Sequence, residues 1–187
     1  SVQVNGLPGA EDDILSSENW SVHFVDSEER VGANNPAFHV FDGDPNTIWH
    51  TQFIGDNPRP PHEIQIALGG TFDISAFIYT PRQVGENGRI REFEINFSED
   101  GILWNEPVAH GIWPNNALIQ EIGFFPVRAA FVRLVALSEV NNNPWTSVAE
   151  IQLRGKVAPP LCEFDSFSIE PARADLTVGE TQNFTAV

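Results

Sequence analysis

Three stretches of the chain combine residue types and spacings that could do chemistry. Phe41-Asp-Gly-Asp-Pro-Asn-Thr-Ile-Trp-His50 crowds the oxygens of Asp42, Asp44 and Thr47 into a turn made by Gly43 and Pro45. Such hard oxygens suit Ca²⁺, which takes six to eight of them with help from backbone carbonyls; the same residues also cap ordinary turns. The ligand spacing is not that of an EF-hand. Tyr79-Thr-Pro-Arg-Gln83 followed by Asn87-Gly-Arg-Ile90 sets Arg82 and Asn87 on a Gly-rich loop between strands, where binding groups tend to be displayed. Arg82 could donate two parallel hydrogen bonds to adjacent oxygens, or pair with one of the 26 carboxylates as a structural cation. In Asn141-Asn-Asn-Pro-Trp145 a Trp directly after an Asn-Pro turn is poorly placed for a core, and its ring could stack on the apolar face of a ligand. Trp113, in Gly-Ile-Trp-Pro-Asn-Asn, has a similar setting, whereas Trp20, Trp49 and Trp104 lie near strand ends and are expected in the core.

The elements that must position these groups are strands. His62 to Leu68 alternates apolar and polar residues and ends at Gly69-Gly70; Phe72 to Tyr79 forms a second run, closed by Pro81. Arg91 to Phe97 places Phe93, Ile95 and Phe97 on one face, and Phe131–Leu137 and Val148–Leu153 repeat the pattern. No long segment carries a 3.6-residue apolar stripe. The expected fold is all-β, with two packed sheets to bury so many half-apolar strands. Residues 1–19 read as a lead-in, 20–155 as the sandwich and 156–160, with Pro159-Pro160, as a stiff connector. Residues 161–187 carry two strand patterns around Gly179, too few for a domain, and read as the start of a second module.

Composition narrows the function. The 187 residues carry 10 Lys+Arg against 26 Asp+Glu, a formal charge of −16, and all basic residues but Lys156 are Arg. That charge opposes nucleic acid and anionic membrane surfaces. With 41% hydrophobic residues the chain can fill a core, yet no stretch is long and apolar enough to span a bilayer. The single Cys162 excludes an internal disulfide, and position 1 is Ser in a sequence without Met, as in a piece cut from a longer chain. No Gly-x-Ser-x-Gly, His-Glu-x-x-His or phosphate-cradling Gly loop is present, which leaves a catalytic role without a carrier.

Taken together, residues 20–155 resemble the galactose-binding-like discoidin domains, most closely the family 32 carbohydrate-binding modules of secreted bacterial glycan-degrading enzymes. The resemblance rests on Val25-Asp-Ser-Glu28, Asn35-Pro-Ala37, the Phe41–Thr51 stretch and the Arg82 and Asn87 loop. It continues through Ser98-Glu-Asp-Gly101 with Trp104, Pro107-Val-Ala109, Val132-Arg-Leu134, and Pro144-Trp145 leading to Ala149-Glu150. It implies a β-sandwich jelly roll, no catalysis, and a glycan partner bound on the loops at one end by a monomeric module of a larger secreted bacterial protein. It implies a structural Ca²⁺ held by Asp42, Asp44, Thr47, Glu150 and the carbonyl of Ala149. It also implies that His50, Arg82 and Asn87 hydrogen-bond a galactose-type sugar while Trp145 stacks on it; Asn34, beside that site, and Trp113, from its loop setting, are expected as further contacts. One position departs from the pattern: Ala33 stands where many galactose binders carry a carboxylate, with Asn34 and Asn35 beside it. Arg59 and His62 could instead favour a uronic acid. The alternative within the same fold is an adhesion or coagulation-factor type module; those commonly carry a disulfide and apolar loop tips, and residues 20–155 contain no Cys. The final residues similarly resemble the opening of a bacterial immunoglobulin-like repeat.

Overall fold

The computed structural model describes residues 12–160, together with positions 169–170, 181 and 185–186. Its strands are β1 (Ser21–Val25), β2 (Trp49–His50), β3 (His62–Thr80), β4 (Glu92–Ser98), β5 (Ala109–Ile112), β6 (Gln120–Ala136), β7 (Ser147–Val148) and β8 (Glu150–Val157), with one 3₁₀ turn at Ala37–Phe41. The short β9 (Ile169–Glu170) and β10 (Thr185–Ala186) pair with each other, antiparallel. The immunoglobulin-like expectation otherwise falls outside the described residues.

Two long strands organise the sandwich. At about 3.3 Å per residue a straight strand of 19 residues would run about 60 Å, too long for a domain of this size. The sequence suggests two strands here, broken at Gly69-Gly70. The structure instead keeps one strand and bends it, with a shift of register between Ala67 and Phe72. Gly69 makes the bend possible: its φ is +72°, and a Cβ would sit 2.6 Å from the carbonyl oxygen of Asn19. Before the bend β3 lies between β1 and the second half of β6; after it, β3 lies between β8 and the first half of β6. β4 and β5 extend the first layer from β6. The all-β sandwich expected from the sequence is the fold observed.

The core follows from the alternation. Phe93, Ile95 and Phe97 of β4 meet Ile64, Ile66, Val132 and Leu134 across the sheet interior, all nearly inaccessible to water. Residues 13–15 of the lead-in also belong to this unit: Leu15 donates to the Leu153 carbonyl, and Gly155 donates to that of Asp13. They cover the outer edge of β8, which would otherwise present unpaired backbone groups.

Candidate functional site

At one end of the sandwich, four connections converge on an open depression of about 350 Å³ lined by Ala33, Asn35, His50, Phe53, Arg82, Asn87 and Trp145. The strand ends bring them there. β2 pairs with β7, which draws His50 beside the chain that follows Trp145, and Arg82 and Asn87 sit on the loop leaving β3. His50, Arg82, Asn87 and Trp145 therefore come together as the sequence suggests.

Each group arrives with its hydrogen-bonding capacity defined. His50 is 5% exposed, and its Nδ1 lies 2.7 Å from the Thr51 carbonyl. A carbonyl only accepts, so Nδ1 carries the proton and Nε2 is the acceptor. Burial holds His50 below the ordinary imidazole range against the pull of that carbonyl, and the nearby Arg82 charge adds to the depression. Arg82 spends Nε on the Val84 carbonyl and Nη1 on that of Asn87, both at 2.9 Å. This folds the loop around its own guanidinium and fixes the fork in place. The ring of Trp145 lies 6.3 Å from that of His50, and its Nε1 donates to Asn57 Oδ1 at 2.7 Å. Phe53, edge-on to His50 at 5.1 Å, adds a second aromatic wall.

Other expectations are corrected. Trp113 is not a ligand platform: it is 4% exposed and stacks between Phe93 at 3.6 Å and Tyr79 at 4.3 Å. Asn34 is exposed and lies off the depression, where Asn35 takes its place. The cause is local pairing: Asn35 donates to Glu29 and accepts from His50 through its backbone, which turns that residue inward. His62 is fully buried and bound to Asp26, so it is not free to meet an acidic sugar, and Arg59 is not among the lining residues. Trp104, expected in the core, is half-buried beneath the Arg133 guanidinium at 4.9 Å.

Two buried carboxylates that sequence reasoning missed hold the walls. Glu29, inaccessible to water, accepts from the backbone N–H of Val31 and Gly32 on one oxygen and of Phe53 and Ile54 on the other. Burial alone would raise its pKa, but those four donors hold it down to about 2. Glu139 likewise accepts from Gly88, Asn141 and Asn143, tying the loop before Trp145 to the loop after Arg82. The junction there is tight: a Cβ on Gly88 would lie 2.7 Å from Ser147 N, and its φ is +86°. In sequence a lone Glu carries no such signal, because its partners are main-chain groups, some two to four residues away and some far along the chain, that any residue type would supply.

The Asp-Gly-Asp turn forms a second polar cluster. Asp42 accepts from Asp44 N and from the Thr47 hydroxyl, and Asp44 accepts from Asn46 N. Beside it Glu150 is 7% exposed, and its Oε1 is buried with no hydrogen-bond partner. Burial first, then the charges of Asp42 and Asp44, push Glu150 up to about 7. Carboxylates gathered without a counter-charge, one with an orphaned oxygen, fit a divalent cation. Among the described residues no three His, Cys, Asp or Glu side chains could hold a metal unaided, so a cation here would need hydroxyl and main-chain oxygens as well.

Comparison with known proteins bears on the whole domain. The chain is 39% identical over 145 residues to a sialidase of Micromonospora viridifaciens and 39% identical over 142 residues to galactose oxidase of Gibberella zeae. These alignments cover 76% and 74% of this chain but only 22% and 20% of the relatives, so the chain spans about a fifth of their length. A family 32 module of a Clostridium perfringens family 89 glycoside hydrolase, solved with GalNAc-β-1,3-galactose, superposes with a TM-score of 0.70 at 31% identity, covering 76% of this chain and 99% of that one. The family 32 module of C. perfringens NanJ, solved with galactose, gives a TM-score of 0.67 at 29% identity, covering 75% and 96%. The family profile of the F5/8 type C domain matches residues 23–151, and the chain belongs to that family.

Proposed function

We propose that this domain is a non-catalytic carbohydrate-binding module that seats a neutral, galactose-type sugar in the depression between His50, Arg82, Asn87 and Trp145. The observation that carries this reading is the neutral His50 acceptor facing the fixed Arg82 donor beside a half-exposed indole. A sugar hydroxyl is both donor and acceptor, so it can give its proton to His50 Nε2 and accept from the guanidinium. Asn87 supplies one further donor and acceptor, and Trp145 offers an apolar face to the sugar's C–H groups. The comparisons support the class, since modules of this fold and similar sequence were solved with galactose-containing ligands. Ala33 in the lining, in place of a carboxylate, removes one charge-assisted acceptor. A single cation among the lining residues, with His62 and Arg59 elsewhere, favours a neutral sugar over a uronic acid.

Within the same reading, Asp42, Asp44, Thr47, Glu150 and the Ala149 carbonyl hold a structural Ca²⁺. The ion would supply the missing counter-charge and join an early loop to β8. The domain serves as a glycan anchor within a larger, secreted bacterial protein.

Titration calorimetry with galactose and N-acetylgalactosamine tests the sugar assignment. Arg82→Ala removes charge-assisted hydrogen bonds worth about 1.5–3 kcal/mol and lowers affinity about 10- to 100-fold. Trp145→Ala does the same by removing the stacking face. Trp145→Ala keeps a melting temperature close to that of the parent, and Arg82→Ala, which also frees two loop carbonyls, lowers it only slightly. Unchanged affinity in both would sink the assignment, and a large loss of stability would mark the residue as structural.

A further inference from the structure

We infer that His62 is a positioning residue for the glycan site, acting as a buried imidazolium that bolts the Trp145 loop to the sheet and releases it at alkaline pH. This rests on the reading of Trp145 as a sugar contact. His62 opens β3 and is wholly inaccessible to water. Its Nδ1 lies 2.7 Å from Asp26 Oδ2, and its Nε2 lies 2.8 Å from the carbonyl of Pro144, the residue before Trp145. Both partners are acceptors, so both ring nitrogens must carry protons, and only the cation satisfies the pair.

The surroundings decide which bond fails on deprotonation. The titratable groups facing the ring are Asp26, from the turn after β1, and His50, from β2. Glu63 follows on β3 but lies on the opposite face by alternation, and β6 contributes Ala136 opposite His62. Asp26 Oδ2 accepts from Nδ1 while its other oxygen accepts from Glu63 N, so the carboxylate is fixed in place and holds the Nδ1 proton on the ring. The proton therefore leaves Nε2, and that nitrogen then turns a lone pair toward the Pro144 oxygen at 2.8 Å. Two acceptors at that distance repel, and the segment carrying Trp145 is pushed off the sheet.

The direction of titration agrees. Burial alone would lower the His62 pKa, but the Asp26 carboxylate and the carbonyls of Pro144 and Pro58 raise it above the ordinary imidazole value. A raised folded-state value means that the contribution is complete below about pH 6.5 and lost as pH rises through the folded value. His50 is depressed, so it takes up a proton only toward acid, where it loses its role as acceptor. Galactose affinity should therefore be bell-shaped in pH, with His50 setting the acid limb and His62 the alkaline one.

The test follows two signals of the full chain from pH 4.5 to 9.5: galactose affinity by calorimetry, and the Trp145 indole N–H resonance, identified through Trp145→Phe. The expected result is a shift of the indole signal that tracks the His62 ring titration, with affinity falling about tenfold over the same interval. His62→Gln, which can reach only one of the two acceptors, should show reduced affinity and no alkaline limb; His62→Leu should lose more. An indole signal that ignores the His62 titration overturns the inference, whether or not galactose binds. So does an alkaline limb that survives in His62→Gln. An indole shift that tracks His62 in a protein that binds no galactose supports the bolt and refutes the sugar assignment instead. A role in stability alone would change the melting temperature while leaving the indole without that inflection.

Discussion

Trp113→Ala should cost about 3–5 kcal/mol of stability, the range for truncating a large buried aromatic. At about 2–4 °C per kcal/mol for a chain of this size, the melting temperature falls by about 6–20 °C. The indole fills the space between Phe93 and Tyr79, and its removal opens a cavity against two rings that cannot follow it. Its Nε1 is buried without a hydrogen-bond partner, so truncation breaks no hydrogen bond and the cost is one of packing. Trp113→Phe keeps a ring in the stack and discards that unpartnered N–H; it should cost less than half as much. Thermal denaturation of the three proteins, with galactose affinity measured well below the transition, checks the assignment. A Trp113→Ala protein of parental stability that has lost its sugar would restore Trp113 to the binding surface.

That residue also shows what could be read from the sequence. The Pro-Asn-Asn after it looks like a loop, and the loop signal outweighed the strand signal. Yet β5 half-buries every second residue, and its inward positions 109 and 111 lead by the same alternation to the buried Trp113. The information was present one residue beyond the strand. Trp145 was legible for the converse reason: three Asn and a Pro precede it, and no alternation leads inward. Arg82, Asn87 and Trp145 are exposed or half-buried on loops and are recognised by type, whereas His50 is buried at the end of β2 and is legible only through the Phe41–Thr51 stretch that it closes. The groups that hold them, Glu29, Glu139 and the Asp26–His62 pair, were not legible, since their partners are backbone amides and carbonyls up to 82 residues away. A carboxylate that binds only main chain leaves no complementary side chain in the sequence. The bend of β3 was misread for a related reason, because Gly69 ends a strand or kinks one depending on whether a neighbour such as β6 continues past it.

Chelation should make stability depend on pH in a sense opposite to that of most acidic proteins. Carboxylates usually have depressed values in the folded state and lose stability toward acid. Glu150 is the reverse: its value rises from the ordinary 4.5 to about 7. A raised acid favours the protonated form in the fold, so the metal-free protein should lose stability as pH climbs from about 4.5 through about 7, then level off. Calcium should remove that loss by supplying the charge that the ionised group lacks. Its stabilisation should be small at pH 5, where Glu150 holds a proton that must first be released, and complete above pH 7. At calcium 100-fold above its dissociation constant the gain is about 2.7 kcal/mol, or about 5–10 °C. His62 weakens the fold over part of the same alkaline range, so Glu150→Gln is the necessary control. It should flatten the Glu150 part of the chelated profile and abolish most of the calcium response, leaving only the His62 contribution. Melting curves with calcium and with chelator, taken at half-unit steps from pH 5 to 8.5, decide the matter. A calcium response of equal size at every pH would detach Glu150 from the ion, and no response at any pH would remove the ion altogether.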